Sequence, residues 1–224
     1  MRSFHYDAHF ADILQSVRDS GKYRDFLPLK RHVGQFPTAT ATLPDGSQKD
    51  VTIWCSNDYL GMGQNPIVMD AMHTAINDYG AGAGGTRNIS GTTHLMTELE
   101  ASLCDLHQKE SALVFTSGFT SNEGALGAVI KLMPDCAVFS DELNHASMIV
   151  GIRNGGAEKH IFKHNDLDHL ESLLKSIDIN RPKLIAFESV YSMDGDIAPM
   201  REIVALAKKY TMAHEAEELP KNRG

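Results

Sequence analysis

Three short polar clusters carry residue types that can do chemistry. Thr116-Ser117-Gly118-Phe119 breaks an apolar run and leads into a helical pattern near Thr120. Small hydroxyls and a glycine at such a turn leave backbone N–H groups free at the positive end of a helix dipole. The ligand this favours is a phosphate or another small anion, although an ordinary strand-to-helix turn has the same composition. Asn144-His145-Ala146-Ser147 supplies a flat imidazole able to stack on a planar ring whose phosphate sits at Ser117-Gly118; a lone loop histidine is also a common surface residue. Ser192, within Tyr191-Ser-Met-Asp-Gly-Asp196, is either a hydroxyl ligand or a turn residue before Gly195. A fourth stretch, Gly80 to Gly91, satisfies G-x-G-x-x-G at Gly80, Gly82 and Gly85. The dinucleotide fingerprint needs a strand before it and a helix after it; here a helix precedes and an extended polar segment is expected to follow. Its embedded Thr86, Arg87 and Asn88 point instead to a loop lining a ligand.

Other chemistries find no support. His5/His9 and His164/His169 are loosely spaced, and His214-Glu215 does not extend to the zinc-protease pattern, so no metal site is expected. No nucleophile elbow and no nucleoside-triphosphate loop is present. Asp141 and Glu142, being adjacent, point to different sides of the backbone, and one is expected to cap the next helix.

The elements that must position these clusters follow from composition and periodicity. The chain has 224 residues, 42% hydrophobic and 22% charged, with a formal charge of −8, enough to bury a full core. No run of basic residues marks a nucleic-acid face, and no stretch reaches membrane-spanning length, so neither partner is expected. Cys55, Cys104 and Cys136 are widely spaced, as in reduced cytoplasmic proteins. Phe10, Ile13, Leu14 and Val17 share a helical face ended by Gly21, and runs at Thr38–Leu43 and Val51–Trp54 flank a Pro44-Asp45-Gly46 turn. Residues 1–55 therefore read as an N-terminal arm, a helix plus a β-hairpin. A helix from Pro66 is expected to bury Val68, Ala71, Met72, Ala75 and Ile76, and another carries Leu95, Leu99, Leu103 and Leu106. Strand patterns at Ala112–Phe115, Ala137–Phe139, His160–Phe162 and Leu184–Phe187 then alternate with helical ones at Glu123–Leu132, Ala146–Arg153, Leu167–Ile177 and Met200–Tyr210. That alternation predicts an α/β fold over residues 56–210: a mainly parallel sheet with helices on both faces and ligands at the strands' carboxyl ends.

Taken together, Arg24, Ser56-Asn57-Asp58-Tyr59-Leu60-Gly61, Gly82–Gly91, Phe115–Phe119, Asp141–Met148 and Ser192–Asp196 resemble the α-oxoamine synthases, pyridoxal-phosphate enzymes of fold type I. The resemblance is strongest to the branch that condenses glycine with succinyl-CoA to give 5-aminolevulinate, CoA and carbon dioxide for tetrapyrrole synthesis; it leans there on Arg24 and Thr86. It implies a cytoplasmic homodimer with its site built across the subunit interface and pyridoxal 5'-phosphate as cofactor. By motif, Ser117, Gly118 and Phe119 lie by the phosphate and His145 stacks on the ring. Asn57 and Ser192 contact amino acid or cofactor, with His145 and Ser192 nearest the chemistry, and Arg24, Thr86 and Asn88 grip the succinyl carboxylate.

The same resemblance calls next for a strand carrying Asp-x-x-His, the lysine that anchors the cofactor, and a small domain. Residues 211–224 match none of these, and Lys208 and Lys209 read as the basic end of a helix. The expectation is an incomplete large domain with an unstructured tail, inactive alone. A non-catalytic fragment that pairs with an intact synthase, or a relative using another acyl-CoA, are the alternatives.

Overall fold

A computed structural model describes residues 4–211; the expected tail from 212 lies outside the described residues. By its contacts the chain divides into two compact units, one ending at Gly85 and the other beginning at Thr86.

In the first unit, helix α1 (Tyr6–Asp19) is followed by a three-stranded antiparallel sheet in the order β1 (Leu29–Arg31), β2 (Thr38–Thr42), β3 (Gln48–Thr52). The hairpin joining β2 and β3 is the expected one: Gly46 takes φ +81° and Leu43 N–H donates to Ser47 O at 2.8 Å. Strand β1 was not expected from sequence, because Leu-Lys-Arg is short and exposed throughout. Helix α2 (Pro66–Tyr79) begins as expected, with Pro66 in the first turn and Asn65 Oδ1 accepting the Ile67 N–H. Its apolar face is not buried: neither α1 nor α2 has a buried residue, contrary to the sequence expectation for Val68 to Ile76.

The second unit is built on a parallel sheet in the order β5 (Glu158–Phe162), β4 (Ala137–Asp141), β6 (Lys183–Ala186). Strand β4 lies centrally and is buried throughout, so its side chains alternate between two cores. Ala137 and Phe139 join Phe162, Leu170, Leu174 and Ile203, covered by α6 (Leu167–Lys175) and α7 (Met200–Tyr210). Val138 joins Ile130, Met148 and Ile152, covered by α4 (Gly118–Leu132) and α5 (Ala146–Gly155). Helices cover both faces, as the alternating pattern predicts.

Two expectations for this unit are corrected. Ala112–Phe115 is not a strand. Its Val114 N–H donates to Glu100 Oε1 at 2.8 Å and its Val114 C=O accepts from Arg87 at 3.3 Å, so side chains satisfy the groups a ladder would have used. Residues 87–91 are not extended but form a π-helical turn in which the Ile89, Ser90 and Gly91 N–H groups all donate to Thr86 O, leading to α3 (His94–His107). No helix among the described residues is long and apolar enough to cross a membrane.

Candidate functional site

The carboxyl ends of β4, β5 and β6 gather polar residues from three connections, and α4 begins beside them. Ser117 caps α4 in a reciprocal box: its Oγ accepts Thr120 N–H at 3.1 Å, and Thr120 Oγ1 accepts Ser117 N–H at 3.2 Å. Thr116 Oγ1 lies 3.3 Å from Thr120 Oγ1, which clusters three hydroxyls at the helix start. The Gly118 and Phe119 N–H groups have no acceptor among the described residues. A Cβ added to Gly118 would meet no atom within 4 Å, so the space beside its Cα is open.

Helix α5 packs close against α4. A Cβ on Gly151 would lie 2.7 Å from Asn122 O, so only glycine permits this approach. The approach brings Asn122 Nδ2 within 3.0 Å of the fully buried Ser147 Oγ, which is 2.7 Å from His145 Nδ1. Ser147 N–H also donates to that Nδ1 at 3.2 Å. Nδ1 is therefore an acceptor, and in the neutral ring the proton sits on Nε2. His145 N–H donates to Glu188 Oε1 at 2.5 Å, and Asn144 Nδ2 donates to Ser140 Oγ and Ala186 O, which fixes the whole turn. The Phe119 ring meets the His145 ring edge-on, with centroids 6.4 Å apart. The two motifs that sequence placed on either side of a ligand are thus in contact.

Ser192 is exposed in the β6–α7 connection. That loop is closed by a Val190–Ile197 bridge, by Tyr191 N–H to Asp196 O at 3.0 Å and by Gly195 N–H to Tyr191 O at 2.8 Å. Thr86 and Asn88 are exposed at the π-helical turn, and among the described residues no hydrogen bond or ring contact joins them or Ser192 to His145. Arg24 and Asn57 belong to the first unit, both exposed. Arg87, expected to line a ligand, is committed elsewhere. It grips Glu100 through both terminal guanidinium nitrogens, at 2.5 and 3.0 Å, and with the Val114 N–H it holds that carboxyl down at about 2.

Sequence reasoning passed over the residues that hold the edge together. Neither Asp141 nor Glu142 caps α5, contrary to the expectation for one of them; His145 does. Asp141 is buried and accepts from Leu143 N–H, Asn165 N–H and His164, while Glu142 accepts the His164 N–H. His164 stands two residues after the end of β5, so the rule used for the other strands would have found it. Glu188, Asn122 and Ser147 left no local signal. Among the described residues no cluster could hold a metal ion. A concavity of about 460 Å³ lies at the other end of the sheet, where Arg181 already pairs with Asp135 and Glu158.

Residues 49–214 match the family Aminotransferase class I and II. The chain is 58% identical to 5-aminolevulinate synthase 2 of Cereibacter sphaeroides over 92% of its own length and 50% of the relative's. It is 52% identical to the 5-aminolevulinate synthase of Bradyrhizobium diazoefficiens, over 96% of the chain and 52% of that protein. It spans about half the length of the curated relatives it matches. Among solved structures, a serine palmitoyltransferase from S. paucimobilis with a bound PLP–myriocin adduct superposes with a TM-score of 0.74 at 34% identity, over 92% of this chain and 50% of that one. The Sphingomonas wittichii serine palmitoyltransferase gives 0.75 at 29%, over 92% and 49%. The fold is that of the pyridoxal-phosphate-dependent transferases, and the chain belongs to the class I and II aminotransferase family.

Proposed function

We propose that this chain is part of a 5-aminolevulinate synthase that takes glycine and succinyl-CoA to 5-aminolevulinate, CoA and carbon dioxide. Pyridoxal 5'-phosphate would dock at the carboxyl edge of β4 and β6. The observation that carries the reading is the contact between an open, donor-rich helix N-terminus and an imidazole held by its Nδ1, in a chain 58% identical to a protein of that name.

The residues present fit the cofactor. Two N–H groups without acceptors, three hydroxyls and open space beside Gly118 suit a phosphate dianion. The His145 ring, fixed by Ser147 and Glu188, offers a flat face to an aromatic ring and keeps Nε2–H available as a donor. When bound, the cofactor supplies an electron sink for charge developing at the glycine α-carbon. Ser192 is the hydroxyl donor to the ring or the amino acid, and Asn57 contacts the same substrate. Arg24 would fork onto the succinyl carboxylate, and Thr86 and Asn88 would also bind the succinyl group, in a cytoplasmic homodimer.

Covalent attachment is not part of this proposal. Lys209 is spent on Glu171 at 2.6 Å, and that hydrogen bond raises its pKa. Lys183 has its pKa lowered by burial, but it starts β6, at the end of the sheet away from His145, and donates to three backbone carbonyls. The 224 residues are expected to bind the cofactor reversibly and not to turn over alone. Titration of the purified chain with pyridoxal phosphate, followed by borohydride reduction and peptide mass analysis, tests this. Saturable binding lost in Ser117→Ala and His145→Ala supports the reading. Absence of binding overturns it, and a stoichiometric pyridoxyl-lysine overturns the reversible attachment.

A further inference from the structure

The carboxyl edge holds one charged cluster to which the proposed reaction gives no role. His164 Nδ1 lies 2.9 Å from Asp141 Oδ1 at the end of β4, and His164 Nε2 lies 2.6 Å from Asp196 Oδ2 in the β6–α7 loop. A neutral imidazole has one N–H, and ionised carboxylates only accept, so a neutral ring cannot serve both. The cluster closes when the ring carries two protons. Asn165 adds its N–H to Asp141 Oδ2 at 3.0 Å and its Nδ2 to Asp196 Oδ2 at 2.8 Å; the same Nδ2 lies 3.1 Å from His164 Nε2, where it can donate only to the unprotonated ring. The other groups facing the ring are Glu142, which takes the His164 N–H, and Tyr191, whose ring meets the imidazole edge-on at 4.4 Å. The Tyr191 hydroxyl is buried without a hydrogen bond among the described residues, and burial beside Asp141 pushes its pKa upward. Every ionisable neighbour is therefore an acid, and the positive charge in the cluster is the imidazolium itself.

The two carboxylates are not equivalent. The Asp141 side chain is 1% exposed and keeps two backbone donors without His164; Asp196 is 40% exposed, with Asn165 as its other side-chain donor. Loss of the ring's second proton thus falls on the Asp196 contact, which with that of Asn165 Nδ2 joins the loop to the end of β5.

We propose that His164 is a positioning residue, which as an imidazolium latches the Val190–Ile197 loop, and with it Ser192, to the ends of β4 and β5 and which releases the loop on deprotonation. The hydrogen bond that His164 donates to Asp141, with the one it donates to Asp196, raises the His164 pKa above 6.5. A raised folded-state value means the latch is complete below the ordinary histidine range and is lost as pH rises through the raised one. The loop therefore loosens on the alkaline side. The proposal rests on the synthase reading only for what Ser192 does.

Hydrogen exchange of the wild-type chain, corrected for intrinsic pH dependence, tests it without a variant. Protection of the Tyr191, Gly195 and Ala198 amides should fall with rising pH by up to about tenfold per unit once the ring titrates, while Val138 and Phe139 in β4 stay constant. Nitrogen NMR should find both His164 ring nitrogens protonated at pH 6. His164→Gln should give low, pH-independent loop protection, and Asp196→Asn should move the transition to lower pH. A neutral His164 ring at pH 6, or loop protection in the wild type that does not respond to pH, overturns the latch. Pyridoxal phosphate binding is scored separately: its absence with an intact loop transition sinks the synthase reading and leaves the latch standing.

Discussion

The two units use their apolar residues in opposite ways. Among the described residues of the first unit, the buried hydrophobic side chains are Ala39 and Ala41 of β2, while Phe10, Trp54 and Ile67 are 57%, 93% and 80% exposed. In the second unit a single strand, β4, is sandwiched between two cores, and Phe139, Phe162, Leu170 and Leu174 are all but inaccessible. Both units form helices and strands, so local pattern suffices to make elements. Burial is what separates them, and the difference teaches where the chain's own stability resides: in the unit that carries Ser117, His145 and Ser192.

The sharpest way to break that contrast is a pair of matched truncations. Phe139→Ala removes a fully buried ring from the centre of the sheet and should cost about 3–5 kcal/mol in the denaturation of the second unit. Phe10→Ala on α1 should change stability by no more than about 0.5 kcal/mol, because the ring is exposed where it stands. Equal losses in urea melts would show that α1 buries its apolar face in solution and that the contrast is false.

Gly151→Ala tests the close helix contact on which the site's geometry depends. The added methyl meets the backbone oxygen of Asn122 at 2.7 Å, and neither partner can rotate away. A cost of about 1–3 kcal/mol is expected, with the Asn122–Ser147–His145 chain disturbed in the same step. Unchanged stability together with unchanged His145 ring resonances would mean that α4 and α5 leave room for a methyl group at Gly151.

The sequence made the second unit legible because a run buried on both faces leaves a plain signature. Ala137–Phe139 is apolar without alternation, and amphipathic helices surround it. The same logic overreached where pattern had no partner. Ala112–Phe115 has strand-like residues, yet Arg87 and Glu100 take its Val114 groups. Helices α1 and α2 have apolar stripes, yet nothing among the described residues buries them. At the site, the Ser117 cap and the His145 turn are local motifs and could be read directly. Glu188, Asn122 and the Asp141–His164–Asp196 cluster are joined across 23 to 43 residues of chain. Such pairs have no spacing to recognise; only the fold brings them together.

The smallest expected effect concerns how the second unit's outer helices are tied. Glu171 on α6 accepts from Lys209 Nζ at 2.6 Å and Tyr210 Oη at 2.7 Å on α7, and from Lys175 Nζ at 3.1 Å on its own helix. The Lys209 hydrogen bond, followed by those of Tyr210 and Lys175, lowers its pKa from 4.5 to about 2. A depressed carboxyl contributes stability that is present above 4.5 and lost as pH falls through about 2. The lysines are more than half exposed, so water and salt screen most of the attraction. The melting temperature of the wild type should exceed that of Glu171→Gln by a small margin at pH 5, and the margin should close toward pH 2 and also in 1 M salt. A margin that ignores both pH and salt would mean that Glu171 acts through its neutral hydrogen bond to Tyr210. The apolar seam formed by Leu170, Leu174 and Ile203 would then hold α6 and α7 together without help from charge.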